Sequence, residues 1–355
     1  MSDMPPGSPS PRIRLRDWLA LGGLLAVLLT MTAGLLVPGV VGHLNDDGLY
    51  ISSARALAAG KGYIYDFSPY IEPANRYPIG YPALLAILVG LVRDPLEQLV
   101  AMQWHSLLQL MLFLAGGFVL LVRGLDVKPF PALAITGLVG LHPIVQDLST
   151  VIMSDVPFAS VATLALLVLL TAVRDQRDRW GLLALAGLLI AAATLMRYQG
   201  LMLAIAGVLA LWLARRFKAG FALGAASTLP LAPWIVWVLS NKAVDYQQNF
   251  SHETGGMGLL DFVREFGRSA HFLFVKGIPG AYFPGLSPTS TLDPYLVSTP
   301  LGLVLLGYAL SLLTLLGLGV ALVRPRHLME RIVALYVALT LLLVLAWNLA
   351  YTYLG

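Results

Sequence analysis

The chain has 355 residues, 58% hydrophobic and only 12% charged, with a mean hydropathy of +0.78. A soluble domain carries about 25% charged residues, so the long apolar runs are read here as lipid-facing rather than as a buried globular core. Cysteine is absent, which excludes disulfides, thiolate catalysis and Cys-ligated zinc. The six histidines (43, 105, 142, 252, 271 and 327) never form an H-E-x-x-H pattern, so a zincin is excluded too. The net charge is +4 and the pI about 9.3. Lys and Arg cluster at the ends of apolar runs, as orientation by the positive-inside rule requires, and no nucleic-acid partner is expected.

In chain order, residues 1–16 read as a disordered cytoplasmic N-terminus, Pro/Ser-rich to Pro11 and then basic at Arg12, Arg14 and Arg16. The apolar run that follows has no small-x-small cleavage signal and reads as a first anchor. Stretches of sufficient apolar length predict spans at 17–41, 98–122, 130–148, 154–173, 180–196, 200–214, 219–240, 301–323 and 332–353. The fold class expected is therefore all-α, a polytopic transmembrane helical bundle of about nine spans forming one domain over 17–355. The stretch 80–92 is apolar but short, and is expected to lie at the interface or re-enter. With nine spans the short basic loops 174–179 and 215–218 fall on one side. Two large segments, 42–97 and 241–300, then lie on the other, external face of the cell membrane. Within the second, 259–275 is expected to form an amphipathic surface helix.

The first large loop carries the densest polar chemistry. Asn45-Asp46-Asp47-Gly48-Leu49-Tyr50 opens it and leads into a short helix expected to end at Gly60, with Asn45 or Asp46 as its cap. Asp46 and Asp47 supply one base and one neighbouring acidic group, which is what deprotonating a hydroxyl needs. The competing reading is a solvated pair of capping residues. Tyr63, Tyr65, Phe67, Tyr70, Tyr77 and Tyr81 follow, either as an aromatic belt at the bilayer surface or as the lining of a ligand cleft. Arg76-Tyr77-Pro78-Ile79-Gly80-Tyr81-Pro82 then turns the chain into the apolar stretch.

Two later junctions fall on the same face in this topology. Asp155, in Met153-Ser154-Asp155-Val156-Pro157, is an acidic group at the start of a span, a functional candidate at membrane depth or else an N-cap. Arg197, in Thr194-Leu195-Met196-Arg197-Tyr198-Gln199-Gly200, is a cation placed to hold a phosphate or to snorkel to the interface.

These residues carry a family resemblance. The acidic motif Asn45 to Tyr50 after the first span resembles that of GT-C fold membrane glycosyltransferases. The protein O-mannosyltransferase and aminoarabinose transferase group (glycosyltransferase family 39 and its relatives) is the most similar. Arg76 to Pro82 resembles the Pro-rich segment closing their first external loop. Ser154 to Pro157 resembles an acidic-x-Pro element at a later span, and Arg197 to Gly200 a basic-x-x-Gly junction. The matches run in order over roughly residues 17–240. The resemblance implies inverting transfer of a sugar from a polyprenyl-phosphate donor on the external, periplasmic-type face, without a metal or other cofactor. It implies Asp46 as the base, Asp47 as its acidic neighbour, and Tyr50, Arg76, Tyr77, Asp155 and Arg197 as substrate-binding residues. Two departures stand out. Tyr77 occupies the position of a Lys in the aminoarabinose transferases, and the chain ends directly after a span where family members usually continue. The alternative reading is a transporter or a flippase for lipid-linked sugars, which needs ionisable groups along a path; mid-span ones are scarce, chiefly His105 and His142.

Overall fold

The computed structural model describes residues 12–41, 46–66, 71–173, 179–241, 259–280 and 301–351. The chain divides into two compact units, Met1–Ala243 and Val244–Gly355.

The first unit opens with α1 (Leu15–Ala33), whose start is fixed by Asp17, its carboxylate accepting from Arg14 N at 2.8 Å. The helix thus begins inside the segment expected to be disordered. It also stops eight residues short of the expected end at 41. Gly34 and Pro38 interrupt it, and Gly39 takes φ +74°, a left-handed conformation that glycine adopts without strain. Next come α2 (Asp47–Ala58), the paired two-residue strands β1 (Ile64–Tyr65) and β2 (Glu72–Pro73), and α3 (Gly80–Leu91). The remaining helices of this unit are α4 (Pro95–Val119, prolonged by a π-helical turn to Gly124), α5 (Pro129–Leu141), α6 (Pro143–Thr150), α7 (Asp155–Val173), α8 (Trp180–Met196), α9 (Gly200–Leu213), α10 (Phe217–Thr228) and α11 (Ala232–Ser240). The second unit holds α12 (Leu259–Phe272), α13 (Leu301–Val323) and α14 (Leu328–Tyr351) among its described residues.

Among the described residues, six helical segments are long and apolar enough to cross a membrane: α1, α4 with its extension, α7, α10 with α11, and most of α13 and α14. The expected single span at 130–148 is instead two helices, α5 and α6, bent by 59°. Pro143 is the cause, because it holds His142 in an extended conformation (ψ 124°) that no helix can pass through. Counted as one broken span, this pair makes a seventh. The helices α3, α8 and α9 are apolar but shorter. At about 1.5 Å per residue α3 is roughly 18 Å long, well short of a hydrocarbon core of about 30 Å. The chain is a multi-pass helical membrane protein.

Its packing follows from that solvent. Lipid tails are as apolar as leucine, so helices associate where small side chains let backbones approach and dispersion contacts accumulate. The contacts among α7, α8, α9 and α10 are lined by Ala165, Ala172, Ala186, Ala193, Ala206, Ala210 and Ala219, all fully buried. At Gly187 an added Cβ would lie 2.4 Å from the Cβ of Ala226, so only glycine permits that crossing of α8 and α10. Leu169, Leu183, Leu203, Leu211 and Leu223 are buried with them, while Leu138, Leu188, Leu213, Phe221 and Leu239 are exposed. Two buried threonines donate within their own helices, Thr136 to Ala132 O and Thr194 to Ile190 O. In the second unit α12 exposes Leu260, Val263 and Phe266 at helical spacing, the apolar face of an amphipathic helix.

Candidate functional site

The site is built around α2, which the first loop lays against α3 and the start of α7. At 100° per residue, positions 46, 50 and 54 share one face of α2, and positions 48, 52 and 55 share the opposite one. Tyr50 occupies the first of these faces and is 2% exposed. Tyr77 lies against its ring at 4.8 Å between centroids, and Tyr81 meets it edge-on at 5.0 Å and 82°.

The segment carrying Tyr77 and Tyr81 is held at several points. Tyr63 donates its hydroxyl to the backbone oxygen of Tyr77 (2.9 Å). The β1–β2 pair aligns Ile64 with Pro73 and Tyr65 with Glu72. Trp237 of α11 donates to Ala74 O, and Asn75 donates to Asn241 O, while Trp234 meets the Tyr63 ring edge-on. Tyr63, Tyr65 and Tyr81 are thus interior side chains packed between elements, neither a belt at the bilayer surface nor a solvent-facing cleft lining. Phe67 and Tyr70 lie outside the described residues.

Gly80 decides how closely α3 approaches α8. A Cβ there would sit 2.6 Å from the carbonyl oxygen of Leu195. Gly80→Ala must therefore push α3 away from α8 and carry Tyr81 with it. The expected cost is about 1–3 kcal/mol, as for other overpacking substitutions. It should appear as a lower unfolding temperature of the detergent-solubilised protein and a loosened Tyr50 ring, read by quenching of tyrosine fluorescence; unchanged values would contradict the close approach.

The polar centre joins three segments far apart in sequence. The hydroxyl of Tyr50 shares a hydrogen bond with Ser154 Oγ at 3.0 Å. Arg197 donates from one guanidinium nitrogen to Ser154 Oγ (3.2 Å) and to Asp155 Oδ2 (2.5 Å). Asp155 is the first residue of α7, where Phe158 N bonds Ser154 O. Arg197 follows the last residue of α8 in an extended conformation (φ −150°, ψ 137°), which swings its side chain off the helix axis toward α7. Asp155 therefore engages a cation, and Arg197 is held in an ion pair rather than left to snorkel. The two side chains remain 32% and 28% exposed, so a ligand can reach them. Ser154, quoted in the sequence only as part of the Asp155 motif, is the atom-level junction between Tyr50 and Arg197. Its position next to Asp155 was the one available signal.

Electrostatics follow from this burial. Desolvation pushes the phenol of Tyr50 well above its ordinary value, against the opposing effects of the Ser154 hydrogen bond and the Arg197 charge; Asp46 and Asp155 add to the upward shift. Tyr63 is raised for the same leading reason. Both groups are neutral hydrogen-bonding phenols at physiological pH. A folded-state value above the unfolded one means that their contribution to stability is whole below pH 10.0, the unfolded phenol's value, and is lost as pH climbs toward the folded one. Phenolate absorbance at alkaline pH should therefore show late-titrating tyrosines, one fewer in Tyr50→Phe. Ionisation of every tyrosine near pH 10.0 would refute their burial.

The two adjacent carboxylates are separated by the fold. Asp47 is 2% exposed, and its Oδ1 accepts a hydrogen bond from Gly48 N at 2.7 Å. Asp46 stands at the N-cap position of α2 in a helical conformation and makes no side-chain cap bond. It lies on the Tyr50 face, close enough to act electrostatically on that phenol. Asn45, the other expected cap, is outside the described residues. Arg76 is exposed, with its guanidinium carbon 5.5 Å from the centroid of the Tyr77 ring. No group of three or more His, Asp or Glu placed to hold a metal occurs among the described residues. Comparison with family models, with curated proteins and with solved structures gives no match.

Proposed function

We propose that the protein is an integral membrane glycosyltransferase of GT-C-like, nine-span architecture that moves a sugar from a polyprenyl-phosphate donor to a lipid, glycan or protein acceptor. The reading places the site on the non-cytoplasmic face, where the large first loop and the short basic loops fall on opposite sides. The observation that carries it is the cluster of Tyr50, Ser154, Asp155 and Arg197, drawn from the first loop and two later junctions. Asp46 lies beside it without a cap bond. A base, a cation and hydrogen-bonding phenols gathered at the ends of apolar helices are the groups that transfer from a lipid phosphate requires.

In the step proposed, the acceptor hydroxyl attacks the anomeric carbon from the face opposite the phosphate. The new carbon–oxygen bond forms as the bond to the phosphate oxygen breaks, with inversion. Asp46 takes the hydroxyl proton, and the electron pair leaves with the polyprenyl phosphate. Charge grows on that phosphate, and Arg197, assisted by Arg76, stabilises it. Asp155 orients the Arg197 fork, Tyr50 fixes Ser154 beneath it, and Tyr77 offers a ring face to the sugar. Asp47 holds the first turn of α2. No metal enters this scheme.

The test is direct. Membranes containing the protein are given labelled polyprenyl-phosphate sugar, and the acceptor-linked product and its anomeric configuration are read. Inverted product with release of polyprenyl phosphate is the expected result. Movement of intact lipid-linked sugar between leaflets with no product formed would favour the flippase reading instead.

A further inference from the structure

The opposite face of α2 carries a second feature, independent of the glycosyl-transfer reading. A cleft of about 440 Å³ opens there, with Val41, Ile51 and Leu99 as apolar walls and Ser52, Arg55 and Asp66 as polar ones. That volume is within the range of small-molecule sites. The body of α2 separates the cleft from Tyr50 and Asp46.

Arg55 is the unusual group in it. Its Nε donates to Gln98 Oε1 and its Nη2 to the backbone oxygen of Pro95, each at 3.2 Å. Both acceptors are neutral, and among the described residues Arg55 has no carboxylate partner. Asp66, the acidic residue of the lining, is already engaged by Lys61 at 2.6 Å. The guanidinium has five N–H donors, so Nη1 is left to offer a charged, forked contact. The two neutral bonds hold the fork in a fixed orientation against the first turn of α4, where Asp94 caps the helix.

The surroundings of that charge are apolar and face outward. Val40, Val41 and Leu96 are exposed. Leu96 packs on Gly39, where a Cβ would lie 2.4 Å from its Cδ1, and Leu99 follows one turn along α4. Gln103 ties the same segment down, donating to Val37 O and accepting from Gly39 N. The result is an apolar strip leading to Arg55, a cation with no carboxylate partner among the described residues.

We propose that this cleft binds an anionic lipid, its phosphate on Arg55 and its chain along Val41, Leu99 and Leu96. Free phosphate would satisfy the same guanidinium, but it would leave the apolar walls against water. A bound lipid pins α2 to the start of α4 from behind.

The full chain is reconstituted in phosphatidylcholine nanodiscs doped with phosphatidylglycerol, and the lipids retained on mild detergent extraction are counted by native mass spectrometry. The wild-type protein should retain phosphatidylglycerol over phosphatidylcholine by about tenfold, the scale of one charge-assisted hydrogen-bonded contact. Arg55→Gln should lose the preference, and Arg55→Lys should keep part of it. Leu99→Trp, which fills the cleft and leaves Arg55 in place, should lose the bound lipid; it carries the test alone if Arg55→Gln does not fold. Excess inorganic phosphate should leave the lipid in place. Equal retention of the two lipids by the wild type, an unchanged preference in a folded Arg55→Gln or Leu99→Trp protein, or displacement by inorganic phosphate would overturn the proposal.

Discussion

Asp46→Asn is expected to reduce sugar transfer by about 10²- to 10⁴-fold, the range of a positioned general base, while leaving the fold intact. The structure gives the reason for expecting so clean a separation. Asp46 makes no side-chain cap bond with α2, so removing its charge breaks no structural contact of that kind. Its neighbour is the contrast. Asp47 is buried and accepts from Gly48 N; Asn preserves an acceptor at that position, so Asp47→Asn should keep most of the activity. Asp47→Leu should cost stability instead, because Gly48 N loses its acceptor. Initial rates of transfer from labelled donor, set beside unfolding temperatures, separate the two effects. Full activity in both Asn variants would sink the assignment of a base to this pair, and equal large losses would mean that the two carboxylates act jointly.

The second large effect is expected at the ion pair. Arg197→Gln should lower transfer by about 10²- to 10³-fold if the guanidinium stabilises charge on the leaving phosphate. Its structural cost should be small by comparison. The pair is partly exposed, with side chains 28% and 32% accessible, and pairs near water contribute about 1 kcal/mol or less. Arg197→Lys keeps the charge but replaces the planar guanidinium, one nitrogen of which donates to both Ser154 and Asp155, with a shorter ammonium whose position is less fixed, so an intermediate rate is expected. Asp155→Asn leaves the cation in place and loosens its orientation; the effect should fall mainly on kcat if Asp155 is a positioning residue. The exchange Asp155→Arg with Arg197→Asp restores a pair of opposite charges. Recovery of thermal stability without recovery of transfer would show that the position of the cation matters beyond its pairing. Recovery of both would reduce the pair to a structural tie.

Much of the architecture was legible in the amino-acid order. Hydropathy marked the apolar segments because a membrane-crossing helix must be apolar along its whole length, a property of one stretch and not of its neighbours. Where the reading of spans failed, the signals were local but underweighted: Gly34 and Pro38 stop α1, and Pro143 breaks α5 from α6. The tyrosines of the first loop were harder. Whether Tyr63 or Tyr81 meets lipid, ligand or protein depends on what folds over it, and α11 and α8 lie far along the chain.

By itself, then, the sequence determined a helical protein of several spans, and it pointed to candidate site residues in the first loop and at two short junctions. Only the tertiary structure decided that Tyr50 meets Ser154 across 104 positions, that Arg197 is held by Asp155, and that Asp46 is spared the burial that fixes Asp47. The physical reason lies in the solvent. Along an apolar helix any large aliphatic residue serves equally well against lipid, so its sequence says little about which neighbour it packs on. Partners are chosen by small side chains such as Gly80 and Gly187 and by a few hydrogen bonds, and these take their meaning only when the helices have come together.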